Sequence, residues 1–228
     1  MNIGVVIPAA GRGKRMMSNI NKQYLKLFSR PVIAHTLDLF YQDNRIKDIV
    51  LVVRDTEVSY CQKQVLEKYN FNNVQIVAGG ETRRESVYAG LMAFSPAIDY
   101  VIIHDGARPL LDRQVVNRVI NEVEEYKAIT TGVQVKDTIK TKDNGDFVAR
   151  TIDRDKLVAI QTPQAFAYQL IIEAHKKISD NVKVSDDASL VEKLGKPVKI
   201  VKGSYQNIKI TTPEDLDYAR LILKNRRK

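Results

Sequence analysis

Short apolar runs alternating with helical patterns constrain this chain more than any other feature. Residues 3–8, 48–53, 74–78, 100–104 and 129–135 read as strands, with helices over 57–69, 85–94 and 114–126 between them. Val32, Ile33, Thr36, Leu37 and Phe40 recur at helical spacing behind Pro31, which suits the first turn of a helix. This alternation implies βαβ units, hence an α/β fold: a mostly parallel, Rossmann-like sheet with helices on both faces. Runs such as Val101-Ile102-Ile103 lack polar alternation, as strands covered on both faces do. The pattern resumes late in the chain. Residues 157–161, 198–201 and 207–210 read as strands, and 168–177 and 189–194 as helices. Thr212-Pro213-Glu214-Asp215 opens the last helix with a hydroxyl cap, a first-position proline and carboxylates in the first turn.

Between 136 and 155 the pattern breaks. Two polar stretches flank Asp143-Asn144-Gly145-Asp146, which reads as a hairpin. An Asn-Gly pair predicts a tight turn with positive φ at both central residues. A lone two-stranded ribbon is marginal in water. Residues 136–155 are therefore expected to pack on a second subunit as a dimerisation arm, or else to fold back on their own domain. The organisation expected is one domain over 1–228 carrying that arm in a homodimer.

Composition narrows the function. At 228 residues the chain can bury a large core without covalent staples. Its single cysteine, Cys61, permits no intrachain disulfide and fits a reducing, cytoplasmic location. Cys61 falls in a helical pattern and reads as a packing residue. No apolar run approaches a bilayer span, and a strand at the very start leaves no room for a leader, so no membrane partner is expected. The net charge of +9 invites a nucleic-acid reading. Part of it, however, lies in the tail Lys224-Asn225-Arg226-Arg227-Lys228, and the aromatics are not interleaved with basic residues as single-strand binders require. A phosphate-rich small substrate accounts for the charge more simply than nucleic acid; a basic non-catalytic binder is the distant alternative.

The first strand runs into Pro8-Ala9-Ala10-Gly11-Arg12-Gly13-Lys14-Arg15-Met16, with Lys22 just downstream. Small residues let a backbone approach phosphates, and exposed N–H groups form an anion nest. Arg15 and Lys22 can neutralise charge that grows at phosphorus. The dinucleotide fingerprint is excluded, because no third glycine follows Gly11 and Gly13. The ATPase loop is excluded because Gly13-Lys14-Arg15 lacks the hydroxyl that would hold magnesium. A solvated basic turn is the plain alternative. In an open α/β sheet, ligands sit beyond the carboxyl ends of the strands. The loops at 9–15, 79–86 and 105–108 each follow a strand, so one cleft can gather all three.

These segments resemble a known family. Pro8-Ala9-Ala10-Gly11 followed by glycine, basic residues and methionine, then Lys22-Gln23-Tyr24-Leu25, is similar to the cytidylyltransferase branch of the nucleotidyltransferases that activate sugar and alcohol phosphates. Gly79-Gly80-Glu81-Thr82-Arg83-Arg84-Glu85-Ser86-Val87, His104-Asp105-Gly106-Ala107-Arg108-Pro109 and Asn207-Ile208-Lys209-Ile210-Thr211-Thr212-Pro213-Glu214-Asp215-Leu216 resemble the methylerythritol phosphate cytidylyltransferases in particular. The likeness runs in order along essentially the whole chain.

The resemblance implies transfer of CMP from CTP to 2-C-methyl-D-erythritol 4-phosphate, with release of pyrophosphate, in the non-mevalonate isoprenoid pathway. A ribitol 5-phosphate cytidylyltransferase is the alternative. It tends to carry Ser-Val where this chain has Gly106-Ala107. On the family pattern, Pro8, Ala9, Ala10, Gly11, Gly13, Arg15 and Lys22 bind the triphosphate, and Arg15 and Lys22 act on the charge at the α-phosphorus. Gly80, Glu81 and Ser86 hold cytosine and ribose. Glu81 stands where many relatives have aspartate, which leaves a backbone contact as the expected one. Asp105 and Gly106 complete the CTP site. Asp105 also faces Mg2+ or another divalent cation, although an aspartate at a strand end is otherwise a turn former. Arg108, Thr162 and Lys209 surround the acceptor phosphate, while Thr138 and Arg154 reach it across a dimer interface. Lys209 would otherwise be an edge-strand lysine. The pair Asp186-Asp187 resembles a family acidic pair but reads mainly as a cap on the helix that follows. His104 reads as a packed strand-end residue. The alditol phosphate acceptor is already a dianion near neutral pH, its second pKa being about 6. No general base is needed, and the work left is to align anions and neutralise them.

Overall fold

In the computed structural model, residues 1–11, 21–179, 182 and 184–226 are described. The first apolar run forms β1, Ile3–Pro8, as its composition requires. Two short paired segments follow, β2 (Lys26–Leu27) and β3 (Arg30–Pro31), then β4 (Ile46–Val53), β5 (Val74–Ala78), β6 (Tyr100–Ile103) and β7 (Ala128–Gln134). A ribbon of β8 (Ile139–Lys142) and β9 (Val148–Ile152) precedes β10 (Val158–Ala167), and β11 (Lys199–Lys202) closes the set. The main sheet has seven strands in the order β11-β7-β10-β6-β1-β4-β5. All its pairings are parallel except those of β10, which runs antiparallel to both β6 and β7. The mostly parallel sheet is therefore borne out.

Side-chain alternation builds a core on each face. Val5, Ile7, Leu51 and Ile102 meet Leu37 and Phe40 of α1 (Val32–Tyr41) and Val119 of α4 (Arg113–Tyr126). Val6, Val50, Val52 and Val101 meet Val87 and Leu91 of α3 (Arg83–Met92), Ile171 of α5 (Tyr168–Lys177) and Leu190 of α6 (Asp187–Lys193). Each such side chain, fully buried, contributes about 1.5–3 kcal/mol. Among the described residues no helix is long and apolar enough to cross a membrane.

Several local expectations are corrected. Pro31 is not in the first turn of α1; it caps the helix from an extended conformation and pairs within β3. The helix expected over 57–69 is composite: a 3-10 turn Asp55–Glu57, then α2 (Val58–Cys61), then π-helical Gln62–Glu67. β10 extends well beyond residue 161, with a register irregularity between Gln161 and Gln164. Pro163 lies there, and proline within an apolar run argues against a central strand. Residues 207–210 form no strand. They dock on the sheet end instead, with Ile210 N–H donating to Ala107 O at 2.9 Å and the Asn207 amide donating to Thr162 O at 2.7 Å.

The hairpin turn also differs. Asp146, not the Asn-Gly pair, carries the positive φ, at 63°. The Asp143 carboxylate closes the turn by accepting N–H bonds from Gly145 at 2.9 Å and Phe147 at 3.0 Å. This side-chain clamp makes a positive φ at Asn144 unnecessary. The strands of the ribbon are exposed, and beside the turn Phe147 and Val148 are 74% and 65% accessible.

Candidate active site

The carboxyl ends of β1, β5 and β6 meet in one cleft, as their order in the sheet dictates. Backbone bonds splice the loops together. Ala9 N–H donates to Val52 O at 2.7 Å, Gly79 N–H to Val53 O at 2.7 Å, and Gly106 N–H to Pro8 O at 3.1 Å. The cleft has a volume of about 230 Å³, a little under the usual range of small-molecule sites.

One wall is the N-terminus of α3. Thr82 caps it, accepting from Glu85 N–H at 3.1 Å. The Glu85 carboxylate turns back to accept the N–H groups of Glu81 at 2.7 Å and Thr82 at 3.1 Å. This capping box holds the 80–82 loop against the helix. It also explains Gly80, whose Cβ would lie 2.5 Å from that of Glu85. Among the described residues the Gly80 carbonyl accepts a long bond from Ser86 Oγ at 3.4 Å, which leaves it capacity as a backbone acceptor.

Next to that wall, and joined to it through Arg83, is an ionic cluster around Asp105, only 7% exposed. Lys209 Nζ lies 2.7 Å from its carboxylate, Arg83 Nε 3.2 Å and Arg108 Nε 3.7 Å. Burial alone would raise the Asp105 pKa, but Arg83, Lys209 and Arg108 outweigh it and hold the carboxyl well below the usual range. Arg83 reaches a second carboxylate, Asp187, at 2.7 Å. Behind the cluster His104 is fully buried, and burial pushes its pKa down to about 4. A neutral ring then donates from Nε2 to Arg108 O at 3.1 Å and accepts at Nδ1 from the Thr162 hydroxyl at 3.2 Å. The same hydroxyl accepts Asp105 N–H at 3.0 Å. This agrees with His104 as a packed residue.

Pro8, Ala9, Ala10, Gly11, Lys22, Gly80, Glu81, Ser86, Asp105 and Lys209 line the cleft together. Gly106 supports it from below, where a Cβ would meet Ile33 Cδ1 at 2.8 Å. Arg108 lies behind Asp105 and donates to Asn207 O at 2.7 Å. Thr162 is buried with its hydroxyl committed to His104 and Asp105. Thr138 and Arg154 do not line the cleft; Arg154 instead donates to Lys136 O at 3.1 Å at the foot of the ribbon. Gly13 and Arg15 lie outside the described residues.

Gln23, Thr82, Arg83 and Ala107 also line the cleft; they fall in the resembling segments, but the sequence reading gave them no binding role. Thr82 and Glu85 were legible as a capping box by their spacing. The role of Arg83 was not, because its partners Asp105 and Asp187 are distant in sequence. The cap reading of the acidic pair holds for Asp186, which accepts Ser189 N–H at 3.1 Å. It is corrected for Asp187, a buried ion-pair partner. Among the described residues no group of three or more His, Cys, Asp or Glu side chains could hold a metal alone.

A family model described as 2-C-methyl-D-erythritol 4-phosphate cytidylyltransferase matches residues 3–225. A protein of that name from Desulforamulus reducens is 48% identical over 227 residues, covering 99% of this chain and 97% of the relative. The Geobacillus kaustophilus protein of that name is 48% identical over 228 residues, with 99% of both chains covered. Among solved structures, the 4-diphosphocytidyl-2C-methyl-D-erythritol synthase of Anaerococcus prevotii superposes with a TM-score of 0.86 at 38% identity, covering 97% of this chain and 96% of that one. The Thermus thermophilus 2-C-methyl-D-erythritol 4-phosphate cytidylyltransferase superposes at 0.81 and 30% identity, covering 98% and 100%.

Proposed function

This chain belongs to the 2-C-methyl-D-erythritol 4-phosphate cytidylyltransferase family, and from that premise we propose how its cleft performs the reaction. The enzyme transfers CMP from CTP to 2-C-methyl-D-erythritol 4-phosphate in the isoprenoid pathway. An acceptor phosphate oxygen attacks the α-phosphorus, the bond to the β-phosphate breaks and pyrophosphate leaves. The observation carrying the residue assignment is the cluster of Lys209, Arg83 and Arg108 around Asp105, beside loops that expose backbone.

The triphosphate lies against Pro8, Ala9, Ala10 and Gly11, and the family pattern adds Gly13, with Arg15 and Lys22 neutralising charge at the α- and β-phosphates. Cytosine sits against 80–86, where its amino group donates to the Gly80 carbonyl and Ser86 closes the ribose side. Uracil would present an acceptor there and leave both groups unpaired. Lys209 brings the acceptor phosphate up to the α-phosphorus, Arg108 adds positive charge from behind Asp105, and Thr162 keeps Asp105 in place. Magnesium takes few carboxylates and fills its shell with phosphate and water oxygens; Asp105 would be the protein ligand, in exchange for its present contacts with Lys209 and Arg83, and the ion would supply further charge neutralisation.

Thr138 and Arg154 complete the site of a second subunit. The exposed ribbon, with Phe147 and Val148 bare, supports an arm that needs a partner surface.

The test is pyrophosphate release with CTP and magnesium, comparing methylerythritol phosphate and ribitol 5-phosphate side by side. Faster turnover of ribitol 5-phosphate would overturn the acceptor assignment. Oligonucleotide binding with no pyrophosphate release would overturn the enzyme.

A further inference from the structure

Lys22 enters the cleft from one 3-10 turn, Lys22–Tyr24. Asn21 supplies no side-chain cap to it, and a turn of this length has little stability of its own. Its anchor comes from across the fold. Glu57, in the 3-10 turn after β4, accepts hydrogen bonds from the Asn21 amide, from Gln23 Nε2 at 3.1 Å and from the Tyr24 hydroxyl at 3.2 Å. These three residues flank Lys22 on both sides. Gln23, only 2% exposed, also donates to Ala9 O at 2.8 Å, which ties the turn to the first loop.

The chemistry of this anchor is costly for stability alone. The Glu57 side chain is only 13% exposed, its near partners among the described residues are neutral donors, and the Arg54 cation stands off, with Nη1 4.0 Å away. Burying a carboxylate among neutral donors gains less than an apolar residue would. What the arrangement does secure is direction, since one acceptor gathers three donors and leaves a single geometry for the segment between them. Glu57 itself does not line the cleft.

We propose that Glu57 is a positioning residue for nucleotidyl transfer, fixing the turn that aims Lys22 at the triphosphate. This rests on reading the cleft as the CTP site. A misplacement of about 1 Å at such a group can cost on the order of a hundredfold, so the effect should appear in kcat and pass through Lys22.

The experiment is a double-mutant cycle on the full chain with Glu57→Ala, Lys22→Ala and their combination, reading pyrophosphate release. Glu57→Ala alone should lower kcat by about tenfold or more, with little change in KM for the acceptor. In the Lys22→Ala background the same change should cost less than about twofold, because the group it positions is gone. Losses that multiply, or a Glu57→Ala enzyme of normal kcat, would overturn the proposal. Glu57→Gln keeps the size and one acceptor oxygen and should fall between wild type and Glu57→Ala with its Tm preserved. If Glu57→Ala does not fold, the Gln variant runs the same cycle under the same criterion. A wild type that releases no pyrophosphate from CTP would instead refute the reading of the cleft. An active wild type with multiplying losses refutes only the positioning role.

Discussion

Lys209 Nζ and Asp105 Oδ2 stand 2.7 Å apart, joining the end of β6 to a segment more than a hundred residues later that has no regular structure. Lys209 is partly exposed, so the contact adds little stability. It holds a cation at the mouth of the cleft and keeps Asp105 ionised. Lys209→Ala should cut kcat by on the order of a hundredfold, as losing an electrostatic stabiliser does. Near-normal turnover with only a raised KM would show that Lys209 merely binds substrate. Asp105→Asn should weaken the magnesium response, with partial recovery at higher magnesium; an unchanged metal dependence and rate would remove Asp105 from the site.

Arg83 bridges Asp105 and Asp187, and the two ends of the Arg83–Asp187 pair are unequally buried, with side-chain exposures of 32% and 1%. Arg83→Ala strands Asp187 and should cost about 3–5 kcal/mol of stability. Asp187→Ala leaves an arginine that can turn to water and should cost about 1–3 kcal/mol. Burial pushes the Asp187 pKa up, against the pull of Arg83. A raised folded-state pKa means the penalty belongs to the ionised form and is relieved by protonation, so the Arg83→Ala deficit should shrink as pH falls. Urea denaturation at two pH values measures both effects. Equal costs for the two variants would contradict the asymmetry.

His104 should shape the acid limb of stability. Its ordinary value of 6.5 falls to about 4 in the folded protein. Between those values the unfolded chain binds a proton that the folded chain excludes, so stability is full above about 6.5 and is lost as pH drops toward 4. The loss is on the order of 3 kcal/mol, at 1.36 kcal/mol per pKa unit. His104→Gln removes the titrating group and should flatten this limb in urea titrations. An identical slope in the variant would assign the effect to other groups.

The arm is testable by complementation between subunits. If the chain pairs through the arm as proposed, the Arg154→Ala and Lys209→Ala proteins should each be nearly inactive. In a mixed dimer with swapped arms, the body carrying Lys209 receives the arm carrying Arg154, which restores one site of two. Activity absent from both parents should then appear on mixing. Confirmed heterodimers without activity would show that Arg154 serves its own body.

The strands were legible because buried parallel strands need continuous apolar runs, and β1 and β5 begin and end where their composition does. The second half of β10 was hidden by Pro163, which removes the pairing N–H that a strand reading assumes. The hairpin was legible as a hairpin, but its turn type was not, because Asp143 could bond the backbone locally in place of the Asn-Gly geometry.

The sequence by itself determined the alternating α/β architecture, the strand-end loops and which of them face one cleft edge. Those follow from local periodicity and from the rule that parallel strands point their carboxyl ends the same way. Only the tertiary structure decided that Arg83 would span Asp105 and Asp187, that Lys209 would lie on Asp105, and that Glu57 would gather the residues around Lys22. Each of these contacts joins residues far apart in the chain. Its energy depends on burial and on distances of a few ångströms, which no local pattern encodes and which exist only once the sheet order has brought the loops together.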